Sequence, residues 1–127
     1  MMRTITSFFI WSACGPLLLS QVGPGQSQVE INATVQASFD KLDAKLNKSY
    51  KDLLERNDND PSFATALKEA QRAWLKYVEL HMNSVFPLAE GENPGEVYGS
   101  NYTAEYLAEK SKLFQQRIEI LEAMTKG

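Results

Sequence analysis

The 127-residue sequence has a single cysteine, Cys14, and a single histidine, His81. Zinc sites require several Cys or His ligands at short spacing, and nucleophile–base pairs require a cysteine or that histidine beside a suitable partner. No segment has the alternating pattern of a strand, so there is also no glycine-rich phosphate loop between a strand and a helix. We therefore predict no metal site, no cofactor and no enzymatic activity.

Basic residues are fewer than acidic ones. The chain contains 13 Lys and Arg against 16 Asp and Glu, a net charge of −3. Removal of residues 1–28, in which Arg3 is the only charged residue, leaves 12 basic and 16 acidic residues and a net charge of −4. An acidic surface argues against nucleic acids and anionic membranes as partners, and it leaves cationic proteins as candidates.

The sequence lacks the uninterrupted run of about 20 apolar residues that a transmembrane helix requires. Residues 5–22 are largely apolar, but Gly15 and Pro16 interrupt them. Arg3 precedes this run, and the small, polar residues 23–28 follow it. The order of charge, apolar run and small residues is typical of a secretory signal peptide.

Cleavage of residues 1–28 would leave one domain, residues 29–127, in the periplasm or outside a bacterial cell, with no stable membrane insertion. A second interpretation rests on Cys14, because the tetrapeptide ending there loosely resembles a bacterial lipobox, which would anchor the protein through a lipid on that residue. Trp11 argues against it, since a leucine-like side chain is expected at that position. We favour the cleaved, unanchored form.

Apolar side chains recur at three- and four-residue steps in three segments, which is the pattern of amphipathic helices. The predicted helices span about residues 30–56, 61–86 and 102–124. The predicted inward residues are Val35, Phe39, Leu42, Leu46, Tyr50 and Leu53, then Phe63, Leu67, Ala70, Trp74, Tyr77, Val78 and His81, then Leu107, Phe114, Ile118 and Leu121 beside Tyr106, Leu113, Ile120 and Met124. These faces predict an all-α domain, an antiparallel three-helix bundle.

The breaks between helices add two expectations. Asp60 as N-cap and Pro61 at the first helical position start the second helix, and the short turn before them makes the first two helices antiparallel neighbours. Arg117 projects between the two apolar stripes of the third helix, so it should be half-buried and require a carboxylate. Asp43 on the first helix is the predicted partner.

Residues 87–101 form a 15-residue connection that contains Glu90, Glu92 and Glu96 but no basic residue. Connections of this length are longer than helix packing requires and often carry function. The alternative is a solvated, partly disordered acidic loop.

Residues in all three predicted helices match the spacing of a known family. The motifs are Asp43-x-x-Leu46-Asn47-x-x-Tyr50, Leu67-x-x-Ala70-Gln71-Arg72-Ala73-Trp74-x-x-Tyr77, Gly99-Ser100 and Leu113-x-x-x-Arg117-x-x-x-Leu121. Over about residues 36–122 their order and spacing resemble the LprI-type family of bacterial envelope proteins, named for a mycobacterial lipoprotein that inhibits lysozyme. The segment from Ala70 to Trp74 is the most specific of these motifs.

The chain departs from the family pattern at four positions. Family members commonly have cysteines where this sequence has Met82 and Glu109, an arginine in place of Val78 and a threonine in place of Phe114. Without the two cysteines, the geometry of the second and third helices is expected to depend on packing alone. The chain therefore resembles a divergent member, in which a shared fold is better supported than a shared activity.

The resemblance implies an exported protein that binds and blocks lysozyme or another cationic envelope protein. Within this interpretation we predict that the contact residues lie on the acidic loop: Glu90, Glu92, Glu96, Tyr98 and Ser100. The residues that carry the family pattern are interpreted as structural: Asp43, Asn47, Tyr50, Gln71, Arg72, Trp74, Tyr77 and Arg117. Among them, Asn47, Tyr50, Gln71, Trp74 and Arg117 lie on predicted inward faces.

A second function class is a structural or small-ligand-binding envelope module. Its ligand would occupy a groove between the second and third helices, lined by Trp74, Tyr77, Tyr102 and Tyr106. The first hypothesis predicts that binding depends on the charge of the acidic loop. The second predicts that binding changes the environment of Trp74.

Overall fold

The computed structural model describes residues 25–126, and all regular structure in that range is helical. The helices are α1 (Gln28–Arg56), α2 (Pro61–Val85), α3 (Pro94–Tyr98) and α4 (Tyr102–Thr125). The predicted all-α class is confirmed, and α3 is an addition to the three predicted helices. Most of the predicted signal peptide, including Cys14, lies outside the described residues.

The first two helices begin where the sequence supplies acceptors for their free N–H groups. The Ser27 hydroxyl accepts from the Glu30 N–H at 3.3 Å, and the Glu30 carboxylate accepts from the Ser27 N–H at 2.8 Å. As predicted, Asp60 caps α2 by accepting from the Phe63 N–H at 3.0 Å, with Pro61 as the first helical residue. The cap of α1 thus lies at Ser27, inside the segment predicted to be removed.

The central helix is α4, which packs extensively on α1 and over a smaller area on α2. Phe39 of α1 stacks near Phe114 and Lys45 lies near Glu122, so α1 and α4 run in the same direction. On the other side, Trp74 lies against Phe114 while the later residue His81 lies against the earlier residue Glu109, so α2 runs in the opposite direction. The core between these helices includes Val35, Leu46, Leu53, Ile118 and Leu121, each no more than 2% exposed.

The buried face of α2 is rotated from the predicted one. Its buried residues are Leu67, Gln71, Val78 and Met82, whereas Ala70 is exposed and Tyr77 is 52% exposed. The inward placement predicted for Ala70 and Tyr77 is therefore wrong. The predicted first helix is confirmed at its buried positions, and on α4 the second stripe is only partly buried, because Ile120 and Met124 are exposed.

α1 and α2 run in opposite directions and line a common groove, although few of their backbone positions lie close together. The aromatic ring of Phe114 lies between them, with its centroid 4.9 Å from that of Phe39 and 5.1 Å from that of Trp74. This layer of rings separates the helices and leaves a groove between α1 and α2, with α4 as its floor.

Candidate functional site

The acidic connector, residues 87–101, is folded around the short helix α3. Asn93 caps that helix by accepting from the Gly95 N–H at 2.8 Å, and Pro94 occupies the first position. Gly91 and Gly99 turn the chain on either side with φ values of +83° and +84°, a conformation that favours glycine. The connector therefore has a defined backbone.

Tyr98 ties the two ends of the connector together. Its hydroxyl donates to the Pro87 carbonyl oxygen at 2.6 Å. Its ring stacks on Tyr102 at 5.7 Å between centroids and meets Phe86 edge-on at 5.5 Å. Burial, followed by the neighbouring Tyr106 and Tyr98, raises the pKa of Tyr102, so the Tyr102 hydroxyl stays uncharged at neutral pH. Tyr98, predicted as a contact residue, is thus half-buried and acts as an anchor.

The remaining predicted contact residues lie on the surface of the connector. Glu90, Glu92, Glu96 and Ser100 are exposed. Within the described residues, none of the three carboxylates has an ion pair or a side-chain hydrogen bond. Glu96 stands in the first turn of α3, where the free N–H groups favour a negative charge. The connector thus presents three unpaired negative charges on an anchored backbone.

Five of the eight residues that carry the family pattern come together along the groove between α1 and α2. The groove has a volume of about 520 Å³. Its lining residues are Asp43, Leu46, Asn47, Tyr50 and Leu54 from α1, Lys68, Gln71, Arg72 and Leu75 from α2, and Phe114 from α4. The inward placement predicted for Asn47 is wrong, because it is exposed on the rim, as Arg72 is.

Arg117 is half-buried as predicted, but its partner is on α2 and not on α1. Its Nε donates to Gln71 Oε1 at 2.9 Å, and its guanidinium carbon lies 5.9 Å from the centroid of the Trp74 ring. Burial lowers the pKa of Arg117, and its Nη2 is buried without a hydrogen-bond partner in the described structure. The predicted pairing with Asp43 is wrong, because Arg117 lies on the side of α4 that faces α2.

A second polar contact joins α2 to α4 near the connector. His81 Nε2 lies 3.2 Å from Glu109 Oε1, and Lys112 donates to the other oxygen of Glu109 at 2.9 Å. Lys112 and then His81 lower the pKa of Glu109, against the effect of burial. The next residue, Met82, is 1% exposed. The geometry of these helices therefore does not depend on packing alone.

No group of three or more His, Cys, Asp or Glu side chains between residues 25 and 126 is arranged to hold a metal ion. In the same range, no helix combines the length and apolar character that a membrane span requires.

Comparison with known proteins gives one match. A family model described as lysozyme inhibitor LprI matches residues 21–121. No curated protein and no solved structure matches significantly. The matched region contains the groove, the connector and the Arg117–Gln71 contact.

Proposed function

The chain belongs to the LprI lysozyme inhibitor family, and on that premise we propose that it is an exported binding protein that inhibits lysozyme or another peptidoglycan hydrolase. The export of the protein to the periplasm or the medium is supported by the signal-like pattern of residues 1–28. We take the mature protein to be an antiparallel three-helix bundle, residues 29–127, with α4 at its centre. An inhibitor acts by occupying its target, so no catalytic group of its own is needed.

The acidic connector is the proposed contact surface. The observation that supports it most directly is the set of three exposed carboxylates, Glu90, Glu92 and Glu96, without a cation of their own. Lysozymes are generally cationic, so these charges favour encounter and orientation with such a target. Because Tyr98 holds the connector in place, less conformational entropy is lost on binding than for a mobile loop.

An inhibition assay with charge-neutralised variants tests this function. The purified protein is expected to inhibit lysozyme at micromolar concentration in low salt, and added salt should weaken the inhibition. Replacement of Glu90, Glu92 and Glu96 by Gln should weaken inhibition by roughly tenfold or more, since each exposed pair contributes up to about 1 kcal/mol.

A matched control removes three carboxylates at the opposite end of the molecule, Glu55→Gln, Asp58→Asn and Glu69→Gln. All three residues are exposed, and none has an ion pair within the described residues. If both triple variants lost inhibition equally, net charge and not the connector would be responsible. If the folded wild-type protein left lysozyme fully active in low salt, the proposed function would be wrong.

The alternative function, a small-ligand module, needs a cavity. Of the aromatic residues suggested for it, Tyr102 packs between Tyr98 and Tyr106, and Trp74 packs on Phe114. A ligand site is better supported by the groove between α1 and α2.

A further inference from the structure

The groove between α1 and α2 is lined by polar side chains that have no partner in the protein. Within residues 25–126, no side-chain hydrogen bond or ion pair is made by Asp43, Asn47, Tyr50, Lys68 or Arg72. Elsewhere on the same helix, Lys48 pairs with Asp52 at 2.6 Å. The groove therefore offers several unpartnered polar groups where a ligand has room to bind.

Charges of opposite sign face each other across this groove. Asp43 lies on α1, and Lys68 and Arg72 lie one turn apart on α2. They form no ion pair with one another within residues 25–126. A ligand that carries both an ammonium group and a carboxylate is the complement of this arrangement, since each end would meet an opposite charge.

Gln71 supplies a hydrogen-bond donor of known identity at the base of the groove. The atom that faces Arg117 Nε at 2.9 Å must be the amide oxygen, because a guanidinium group only donates. The Gln71 NH2 group therefore remains available to a ligand, and it can donate a hydrogen bond to a carbonyl oxygen. Asn47 lies on the other wall and offers both a donor and an acceptor, as a peptide group requires.

Four apolar residues complete the lining of the groove. Leu46 and Phe114 close the bottom and are 2% and 5% exposed, while Leu54 and Leu75 form part of the walls. The volume of about 520 Å³ is within the usual range for small-ligand sites. Because the Phe114 ring is almost fully buried, it has little surface on which a sugar ring can stack, whereas an aliphatic side chain fits against Leu54 and Leu75.

We propose that this groove binds a short peptide with free termini. Its ammonium group pairs with Asp43, its carboxylate with Lys68 and Arg72, and one of its carbonyl oxygens accepts from Gln71. This site is separate from the acidic connector and is independent of whether the protein inhibits lysozyme.

NMR titration of the full-length protein tests the proposal directly. The probe is the tripeptide Ala-Leu-Ala with free termini, and the signals followed are the side-chain amide groups of Gln71 and Asn47. We expect saturable shifts of both signals. The same tripeptide with an acetylated N-terminus and an amidated C-terminus should bind roughly tenfold or more weakly, because both charge-assisted contacts are lost.

Groove variants and matched control variants identify the side chains that contribute to tripeptide binding. Asp43→Asn and Arg72→Gln are each expected to weaken the binding of the free tripeptide by roughly tenfold. The controls Glu69→Gln and Lys51→Gln remove one charge each from exposed positions outside the groove and should leave binding unchanged. The connector variant with Glu90, Glu92 and Glu96 replaced by Gln should also bind the tripeptide normally, which separates this site from the proposed inhibition.

Three results would overturn the proposal. These are the absence of saturable shifts, equal binding of the blocked tripeptide, or stronger binding of tri-N-acetylchitotriose, which would identify the groove as a sugar site. If Asp43→Asn or Arg72→Gln does not fold, judged by circular dichroism, the comparison of free and blocked tripeptides on the wild-type protein decides the question alone.

Discussion

Replacement of Gln71 by Met should destabilise the protein because it removes the only hydrogen-bond acceptor of the Arg117 guanidinium group in the described structure. Met keeps the length and the apolar part of the side chain but cannot accept a comparable bond. A hydrogen bond to a charged group contributes about 1.5–3 kcal/mol, and partial exposure of Arg117 places the expected loss near 2 kcal/mol. For a domain of this size, that loss lowers Tm by roughly 8–16 °C.

A double-mutant cycle isolates this contact. Arg117→Met should destabilise by about 1 kcal/mol or less, because it also removes the buried, unpartnered Nη2 and keeps the stem against Trp74. With Arg117→Met already present, Gln71→Met should have almost no further effect, which gives a coupling energy of about 1.5–2 kcal/mol. Urea unfolding followed by circular dichroism measures each free energy, provided that the m-value is constant. Equal effects of Gln71→Met in both backgrounds would refute the reasoning.

Three other substitutions address the connector, the core and the response to pH. The lowered pKa of Glu109 contributes stability that is present above its ordinary value of 4.5 and is lost as the pH falls through the lower folded pKa, so Glu109→Gln should flatten the acid limb of a stability–pH curve. Tyr98→Phe removes the bond to the Pro87 carbonyl; a loss of about 0.5–1.5 kcal/mol and faster amide exchange in the connector should follow. Phe114→Ala removes the ring between α1 and α2 and should lower the unfolding free energy by about 3–5 kcal/mol, measurable in urea.

The helices were predictable where local signals coincide with periodicity. Asp60 and Pro61 predict the start of α2, and the structure confirms Asp60 as the N-cap and Pro61 as the first helical residue. The same combination, Asn93 followed by Pro94, precedes α3. That signal is present in the sequence, but a five-residue helix has no periodic pattern to support it, so the sequence alone predicts a loop there.

The groove and the partner of Arg117 were not predictable, because they depend on the distance between helices. Helical spacing places Arg117 between two apolar stripes but does not say which neighbouring helix each stripe meets. The choice of Gln71 over Asp43 follows from α4 being central and from the rings that separate α1 from α2. Side-chain sizes in three different segments decide this together, and no single pattern contains that information.

The unequal attachment of the two outer helices to α4 has a dynamic consequence. Because the backbone of α4 lies close to that of α1 at more positions than to that of α2, we expect α2 to detach first while α1 and α4 remain paired. Lys68, Gln71 and Arg72 lie on α2, so this motion would displace one wall of the groove. The rate at which α2 detaches would then determine how readily a ligand enters and leaves.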